Sequence, residues 1–175
     1  MKIRDWEGVA LIIGAGDIGN SIADYLTTIS PKLDLNICGR NHSRHNGISL
    51  DLENDDSFNS FENKISLLDK PLRLVINTSG FLHSGYLQPE KRLSQINRTN
   101  IIKNFSINAI APILIAKSIE KFIIPELPFS FASLSARLGS IGDNKLGGWY
   151  SYRASKAAQN QFLKTLSIEW RRKFP

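Results

Sequence analysis

The stretch Gly14-Ala15-Gly16-Asp17-Ile18-Gly19 decides the fold expected for this chain of 175 residues. It follows Val9–Ile13, a short apolar run of the kind that forms buried parallel strands. It opens Asp17–Ile29, where apolar residues recur at helical spacing until Ser30-Pro31. A glycine-rich turn between strand and helix predicts a dinucleotide site, because glycines let a pyrophosphate approach the backbone N–H groups of the helix N-terminus.

A purely structural turn between strand and helix is the alternative to this interpretation. Asp17 favours the structural turn, because its carboxylate can cap a helix but repels a phosphate. The prediction assigns five residues of the turn to cofactor binding: Gly14, Gly16, Asp17, Ile18 and Gly19.

The rest of the chain alternates between strand-like and helix-like segments. Strands are expected at Leu33–Cys38, Ile48–Leu52, Leu72–Ile76 and Phe129–Leu134, and helices at Phe58–Leu68, Asn100–Ile124 (bent at Pro112) and Tyr152–Trp170. This alternation predicts a doubly wound α/β fold of the Rossmann type, with a parallel sheet covered by helices on both faces. We expect one domain over residues 1–175. The chain stops after a helix, so either the sheet ends at five strands or the chain is a fragment.

Composition excludes several classes of function. Cys38 is the only cysteine, and His42, His45 and His83 lack metal-ligand spacing, so neither a disulfide nor a metal site is expected. The net charge of +6 is scattered without an arginine-rich arm, which disfavours nucleic acid. No apolar run is long enough for a membrane span or a signal peptide, and a cytoplasmic location is the default.

The residues that follow the strands predict further contacts with the nucleotide. The second strand ends at Arg40, with Arg44 close behind and no carboxylate to grip a ribose 2′-hydroxyl. A guanidinium suits a 2′-phosphate, so NADP is favoured over NAD, although an ordinary surface arginine is the alternative. Asp51 and Leu52 follow the third strand at the expected adenine edge. Asn77 and Gly80 follow the fourth strand and either line the ligand crevice or serve as common loop formers.

Tyr152 and Lys156 lie four residues apart, which places both on one face of the last helix. An ammonium beside a phenol favours the phenolate and lowers its pKa, as proton exchange near neutral pH requires. The pair predicts an acid/base function for the tyrosine. The spacing alone is common, and it gains force from the glycine turn that precedes it in the chain.

These motifs, taken in order, resemble the short-chain dehydrogenase/reductase family. The resemblance includes two further features. Asn108 follows Asn77 and Gly80 along the chain, and the run Ser135–Gly142 is followed by Gly147–Tyr152. This last run is similar to the branch of C-factor proteins and sniffer-type carbonyl reductases. The resemblance covers nearly the whole chain, but the family's C-terminal strands and substrate-covering loop have no counterpart in it.

The resemblance implies hydride transfer between NADPH and a small-molecule carbonyl or secondary alcohol, with Tyr152 as acid/base. Lys156 would bind the nicotinamide ribose, and Asn108 would anchor a water that relays protons. The family's catalytic serine falls on Ala136, with Ser135 adjacent and Ser133 and Ser140 nearby. Either Ser135 or another of these hydroxyls takes its place, or the enzyme is slow. A homodimer is also implied. The alternative is a nucleotide-binding regulatory protein with little or no turnover.

Overall fold

The computed structural model of the chain describes residues 2–41 and 46–174. The sequence positions His42, Arg44 and His45 discussed above lie outside these ranges. The described residues form two compact units. The first comprises residues 2–41, 46–79 and 115–134, and the second comprises residues 80–114 and 135–174. The single domain expected over residues 1–175 stays a prediction.

The first unit is built on a five-stranded parallel sheet of order β3-β2-β1-β4-β5. The strands are β1 (Gly8–Ile13), β2 (Leu33–Gly39), β3 (Asn46–Ser49), β4 (Leu72–Asn77) and β5 (Ser130–Ser133), with helices α1 (Asp17–Ile29) and α2 (Asp55–Ser66). The chain moves outward from β1 to β3 and then crosses back to β4. The predicted doubly wound α/β fold is confirmed, and its topological switch point lies between β1 and β4.

The central strand β1 is buried along all six of its residues, as its continuous apolar sequence requires. Ala10 and Ile12 pack in one cluster with Ala23 and Leu26 of α1. The apolar face of α1 thus holds its N-terminus at the carboxyl end of β1. This packing positions the glycine turn.

The second unit consists of helices and short turns. It contains 3₁₀ turns at Leu93–Gln95 and Arg137–Gly139, α3 (Arg98–Phe105), a π-helical turn at Ser106–Ile110, the start of α4 (Ala111–Glu120) and α5 (Tyr150–Lys173). Helix α3 packs against α5. None of the helices within residues 2–41 and 46–174 has the length and apolar character needed to span a bilayer.

The helix expected at Asn100–Ile124 begins at Arg98, ends at Glu120 and contains the π-helical turn directly before Pro112. Proline has no N–H, so Pro112 cannot donate the α-helical hydrogen bond to the carbonyl of Asn108. The wider turn accommodates this missing donor. Asn108 lies in this irregular turn. The expected bend at Pro112 stays a prediction.

Candidate active site

Two glycines of the turn after β1 are required by packing within the first unit. Gly14 has a φ of +106°, and a Cβ there would lie 2.7 Å from the Oγ1 of Thr78. A Cβ at Gly19 would lie 1.9 Å from the carbonyl oxygen of Gly14. The Oγ1 of Thr78 donates to the carbonyl of Ile13 at 2.9 Å, which joins the ends of β1 and β4 at the switch point. Larger side chains would break this junction.

Gly16 differs because packing does not require it. A Cβ at Gly16 would have no heavy atom within 4 Å, and Gly16 is the N-cap of α1 without a side-chain capping bond. No side chain at the N-cap occupies the first N–H groups of α1, which a bound phosphate would use. This cradle fits the pyrophosphate of a dinucleotide. Asp17 and Ile18 are exposed in the first turn, where the Asp17 carboxylate opposes an anion.

Arg40 directly follows β2 and is exposed. A Cβ at Gly39, the last residue of that strand, would lie 3.4 Å from the Cβ of Ala15 in the glycine turn. The end of β2 therefore faces the turn, as a residue that selects the ribose substituent requires. The expected contact of Arg40 with a 2′-phosphate stays a prediction.

The residues predicted after β3 and β4 are held by local hydrogen bonds. The Oδ1 of Asp51 accepts from the backbone N–H of Glu53 at 3.1 Å, and Leu52 is half-buried in the same turn before α2. Asn77 is fully buried, and its Nδ2 donates to the Oγ of Ser133 at 2.9 Å. These contacts order the carboxyl edge of the sheet, and the predicted contacts with a nucleotide stay predictions.

Within the second unit, the structure brings Tyr152, Lys156, Asn108 and Gly80 together. The Nζ of Lys156 lies 6.0 Å from the ring centroid of Tyr152 and donates to the Oε1 of Gln159 at 3.0 Å. A Cβ at Gly80 would lie 3.7 Å from the Oδ1 of Asn108 and 3.9 Å from the Nζ of Lys156. The amide of Asn108 and the ammonium of Lys156 therefore lie on the same side of Gly80, and the ring of Tyr152 lies beside this ammonium.

Burial shifts the pKa values of Lys156 and Tyr152. Lys156 is only 3% exposed, and burial lowers the pKa of its ammonium to about 8. Burial also raises the pKa of Tyr152, because a phenolate is poorly solvated there. The four-residue spacing predicted a lowered pKa for Tyr152, and this prediction is wrong because burial raises that pKa. Lys156 nonetheless stays largely protonated at neutral pH.

Asn108 is clamped on both sides of its amide. Its Oδ1 accepts from the backbone N–H of Phe81 at 2.7 Å, and its Nδ2 donates to the carbonyl of Phe81 at 2.8 Å. The same Nδ2 donates to the Oγ of Ser155 at 3.0 Å, and this hydroxyl donates to the carbonyl of Tyr152 at 2.8 Å. Asn108 is thus joined to the helix that carries Tyr152. Sequence reasoning missed Ser155, whose only signal is its position between Tyr152 and Lys156.

The loop that carries Ser135 is also anchored on α5. The hydroxyl of Ser135 is exposed and donates to the Oδ1 of Asn160 at 2.6 Å. A Cβ at Gly139 would lie 2.9 Å from the backbone carbon of Lys156, so only glycine allows this close approach. The proposed hydrogen bond from Ser135 to a substrate stays a prediction.

Two further features complete the site. In the described part of the chain, no group of three or more His, Cys, Asp or Glu residues could hold a metal ion. Sequence reasoning also missed a buried polar row beside the site, formed by Glu90, Asn100 and Asn104. The four-residue spacing of Asn100, Asn104 and Asn108 is the signal that points to this row, because such residues share a helix face.

Solved structures of carbonyl reductases share the fold of this chain. No family model matches the chain. It is 29% identical over 101 residues to C-signal from Myxococcus xanthus, and this match spans 58% of each of the two chains. The carbonyl reductase Sniffer of D. melanogaster superimposes with a TM-score of 0.83 at 22% identity, over 97% of this chain and 77% of that chain. The NADPH-bound carbonyl reductase from chicken fatty liver superimposes with a TM-score of 0.81 at 19% identity, over 96% of this chain and 72% of that chain.

These similarities confirm the resemblance to the short-chain dehydrogenase/reductase family that the ordered motifs predict. The C-signal match covers less than two thirds of that protein.

Proposed function

We propose that this protein is an NADP-dependent oxidoreductase of the short-chain dehydrogenase/reductase type, acting on a small-molecule carbonyl or secondary alcohol. The observation that carries the proposal is the convergence of Tyr152, Lys156 and Asn108 in the second unit. A buried lysine is costly unless it has a function or a strong partner. An ammonium next to a tyrosine on one helix face suits proton transfer.

Nucleotide binding is assigned to the first unit. The open backbone at Gly16 and the N-terminus of α1 suit a pyrophosphate, and Arg40 suits a 2′-phosphate. The chicken carbonyl reductase with a similar fold binds NADPH, which supports the same cofactor here. When bound, NADPH supplies a hydride for the carbonyl carbon.

Proton transfer is assigned to the second unit. In the reducing direction, the hydroxyl of Tyr152 gives its proton to the carbonyl oxygen as the carbon accepts the hydride. Lys156 stabilises the phenolate that is left, because its ammonium is protonated below a pKa of about 8. Asn108, held by Phe81 and Ser155, orders the surroundings of Lys156. Oxidation of an alcohol follows the same steps in reverse.

The variant Tyr152→Phe tests this proposal, and Tyr150→Phe is its matched control. We expect Tyr152→Phe to reduce turnover of a carbonyl probe by at least about 10²-fold while NADPH binding persists, because only the transferable proton is removed. Tyr150, the first residue of α5, is 42% exposed and should tolerate the same change. Turnover by Tyr152→Phe at the wild-type rate would remove Tyr152 from the mechanism.

A second candidate function is nucleotide-dependent regulation without turnover. The observation in its favour is Ala136 at the position of the family's serine, since alanine cannot donate to a substrate oxygen. The hydroxyl of the adjacent Ser135 is already bonded to Asn160. Binding of NADPH without reduction of a series of aldehydes and ketones would favour this candidate.

The proposal also includes a homodimer in the cytoplasm. The dimer rests on the family resemblance, and the location rests on the single, buried Cys38, which forms no disulfide within the chain. Sedimentation of the purified chain at micromolar concentration tests the dimer directly.

A further inference from the structure

Glu90 is a buried carboxylate that the proposed mechanism does not use. It is 2% exposed, and four donors of the second unit reach it. Its Oε1 accepts from the Nδ2 of Asn100 at 2.6 Å and from the hydroxyl of Ser151. Its Oε2 accepts from the backbone N–H of Ser151 at 3.2 Å, and its backbone carbonyl accepts from the N–H of Trp149.

The first set of contacts caps α5 from outside that helix. Trp149, the N-cap, has a left-handed φ of 51° and makes no side-chain capping bond. Glu90 instead satisfies the N–H groups of Trp149 and Ser151 and places a negative charge at the positive end of a 24-residue helix. Tyr152 is the next residue after Ser151. The cap therefore fixes the first turn, from which Tyr152 projects.

The second set of contacts runs along one helix face to Asn108. The Oδ1 of Asn100 accepts from the Nδ2 of Asn104 at 3.0 Å, and the Oδ1 of Asn104 accepts from the Nδ2 of Asn108 at 3.2 Å. Each amide thus donates toward Glu90. An ionised carboxylate only accepts hydrogen bonds, so Glu90 fixes which way Asn100 is turned. Through Asn104 it supports the orientation of Asn108 that Phe81 also holds.

The protonation state of Glu90 agrees with this arrangement. Burial raises the pKa of its carboxyl, but the hydrogen bonds from Ser151 and Asn100 outweigh burial and leave the pKa below its ordinary value. Glu90 is therefore ionised at neutral pH and acts as an acceptor.

We infer that Glu90 is a positioning residue for the reaction, which orients Tyr152 through the cap of α5 and Asn108 through the row Asn100–Asn104–Asn108. The inference rests on the proposed function for its effect on turnover. It predicts that Glu90 is needed for its acceptor oxygens and not for its shape. Glutamine has the shape of glutamate but replaces one acceptor with a donor.

The test compares Glu90→Gln and Glu90→Asp with wild type and with Glu169→Gln, a change of an exposed acid on α5. In protein labelled with ¹⁵N-asparagine, we expect Glu90→Gln to speed hydrogen exchange of the Asn108 side-chain amide by about tenfold, because a buried hydrogen-bond partner is lost. Turnover of the carbonyl probe should fall by roughly 10- to 100-fold with the KM for NADPH within twofold. Glu90→Asp, which keeps the carboxylate, should recover part of both.

The two readouts separate this inference from the proposed function. Wild type without turnover refutes the oxidoreductase, while amide exchange still decides the role of Glu90. A folded Glu90→Gln with wild-type exchange at Asn108 overturns the inference, as does wild-type turnover. Should Glu90→Gln not fold, Asn104→Ala breaks the row and leaves the cap of α5 intact. Wild-type exchange of the Asn108 side-chain amide in Asn104→Ala would show that the row does not orient Asn108, and would overturn the inference.

Discussion

At the residue scale, Lys156 is a charged group that the folded chain removes almost completely from water. Its amine is buried, its Nζ is bonded to Gln159, and it lies on the same helix face as Tyr152. Burial disfavours the ammonium, whereas the folded chain at neutral pH holds it protonated. The protein therefore accepts a loss of stability at this position, which is typical of functional sites.

This loss of stability depends on pH in a predictable way. The folded pKa of Lys156 is about 8, below its unfolded value of 10.5, so between these values the unfolded chain binds more protons. The Lys156 contribution to the free energy of unfolding should therefore be constant below pH 8 and rise through this window. Relative to Lys156→Met, wild type should gain about 2 kcal/mol between pH 7.5 and pH 10.

Urea unfolding of both proteins at the two pH values measures this gain. The control is Lys164→Met, which changes an exposed lysine of the same helix. Titrating groups that do not contact Lys156 are common to all three proteins and cancel in the differences. An equal difference between wild type and Lys156→Met at both pH values would contradict a lowered lysine pKa.

At the scale of elements, helix α2 offers a test of local capping. The Oδ1 of Asn54 accepts from the backbone N–H of Asp56 at 3.0 Å, so Asn54 caps the helix. Asn54→Ala should lower the free energy of unfolding by about 1 kcal/mol, because the N–H of Asp56 loses its partner. Asn63→Ala, at an exposed interior position of α2, should leave stability unchanged or raise it slightly. Thermal or urea unfolding of both variants measures the difference.

The elements also show which parts of the fold sequence periodicity predicts. Four of the strands and α1 lie close to their predicted bounds, because apolar runs and helical spacing reflect burial on a local stretch of chain. The third strand was predicted at Ile48–Leu52 but spans Asn46–Ser49, because Asn46 and Gly47 carry no apolar signal. The start of α2 at Asp55 was missed by three residues, because its polar first turn carries no apolar signal. The capping residue Asn54 was the available signal for that boundary.

The candidate site was predictable only where one element supplies its parts. Tyr152 and Lys156 share a helix, so their spacing predicted their neighbourhood, but the raised pKa of Tyr152 depends on burial by other segments. Glu90 and Ser151 are 61 residues apart, and nothing in local spacing joins them. Hydrogen bonds of this kind follow from tertiary packing, which periodicity does not encode.

At the scale of the whole molecule, ligand binding links the fold to the proposed function. A ligand that binds only the folded state stabilises it by about 2.7 kcal/mol at a hundredfold excess over its dissociation constant. For a chain of this length that gain raises the melting temperature by roughly 5 to 10 °C. We expect NADPH to produce this shift, and NADH a smaller one, because Arg40 favours the 2′-phosphate.

Two variants assign the shift to its source. A methyl group at Gly16 has open space in the free protein but occupies the cradle at the start of α1. Gly16→Ala should therefore melt like wild type alone and lose the shift with NADPH. Arg40→Ala should reduce the difference between NADPH and NADH. A cooperative melt that neither nucleotide shifts would contradict nucleotide binding and leave the glycine turn with only its packing role, which Gly14 and Gly19 already explain.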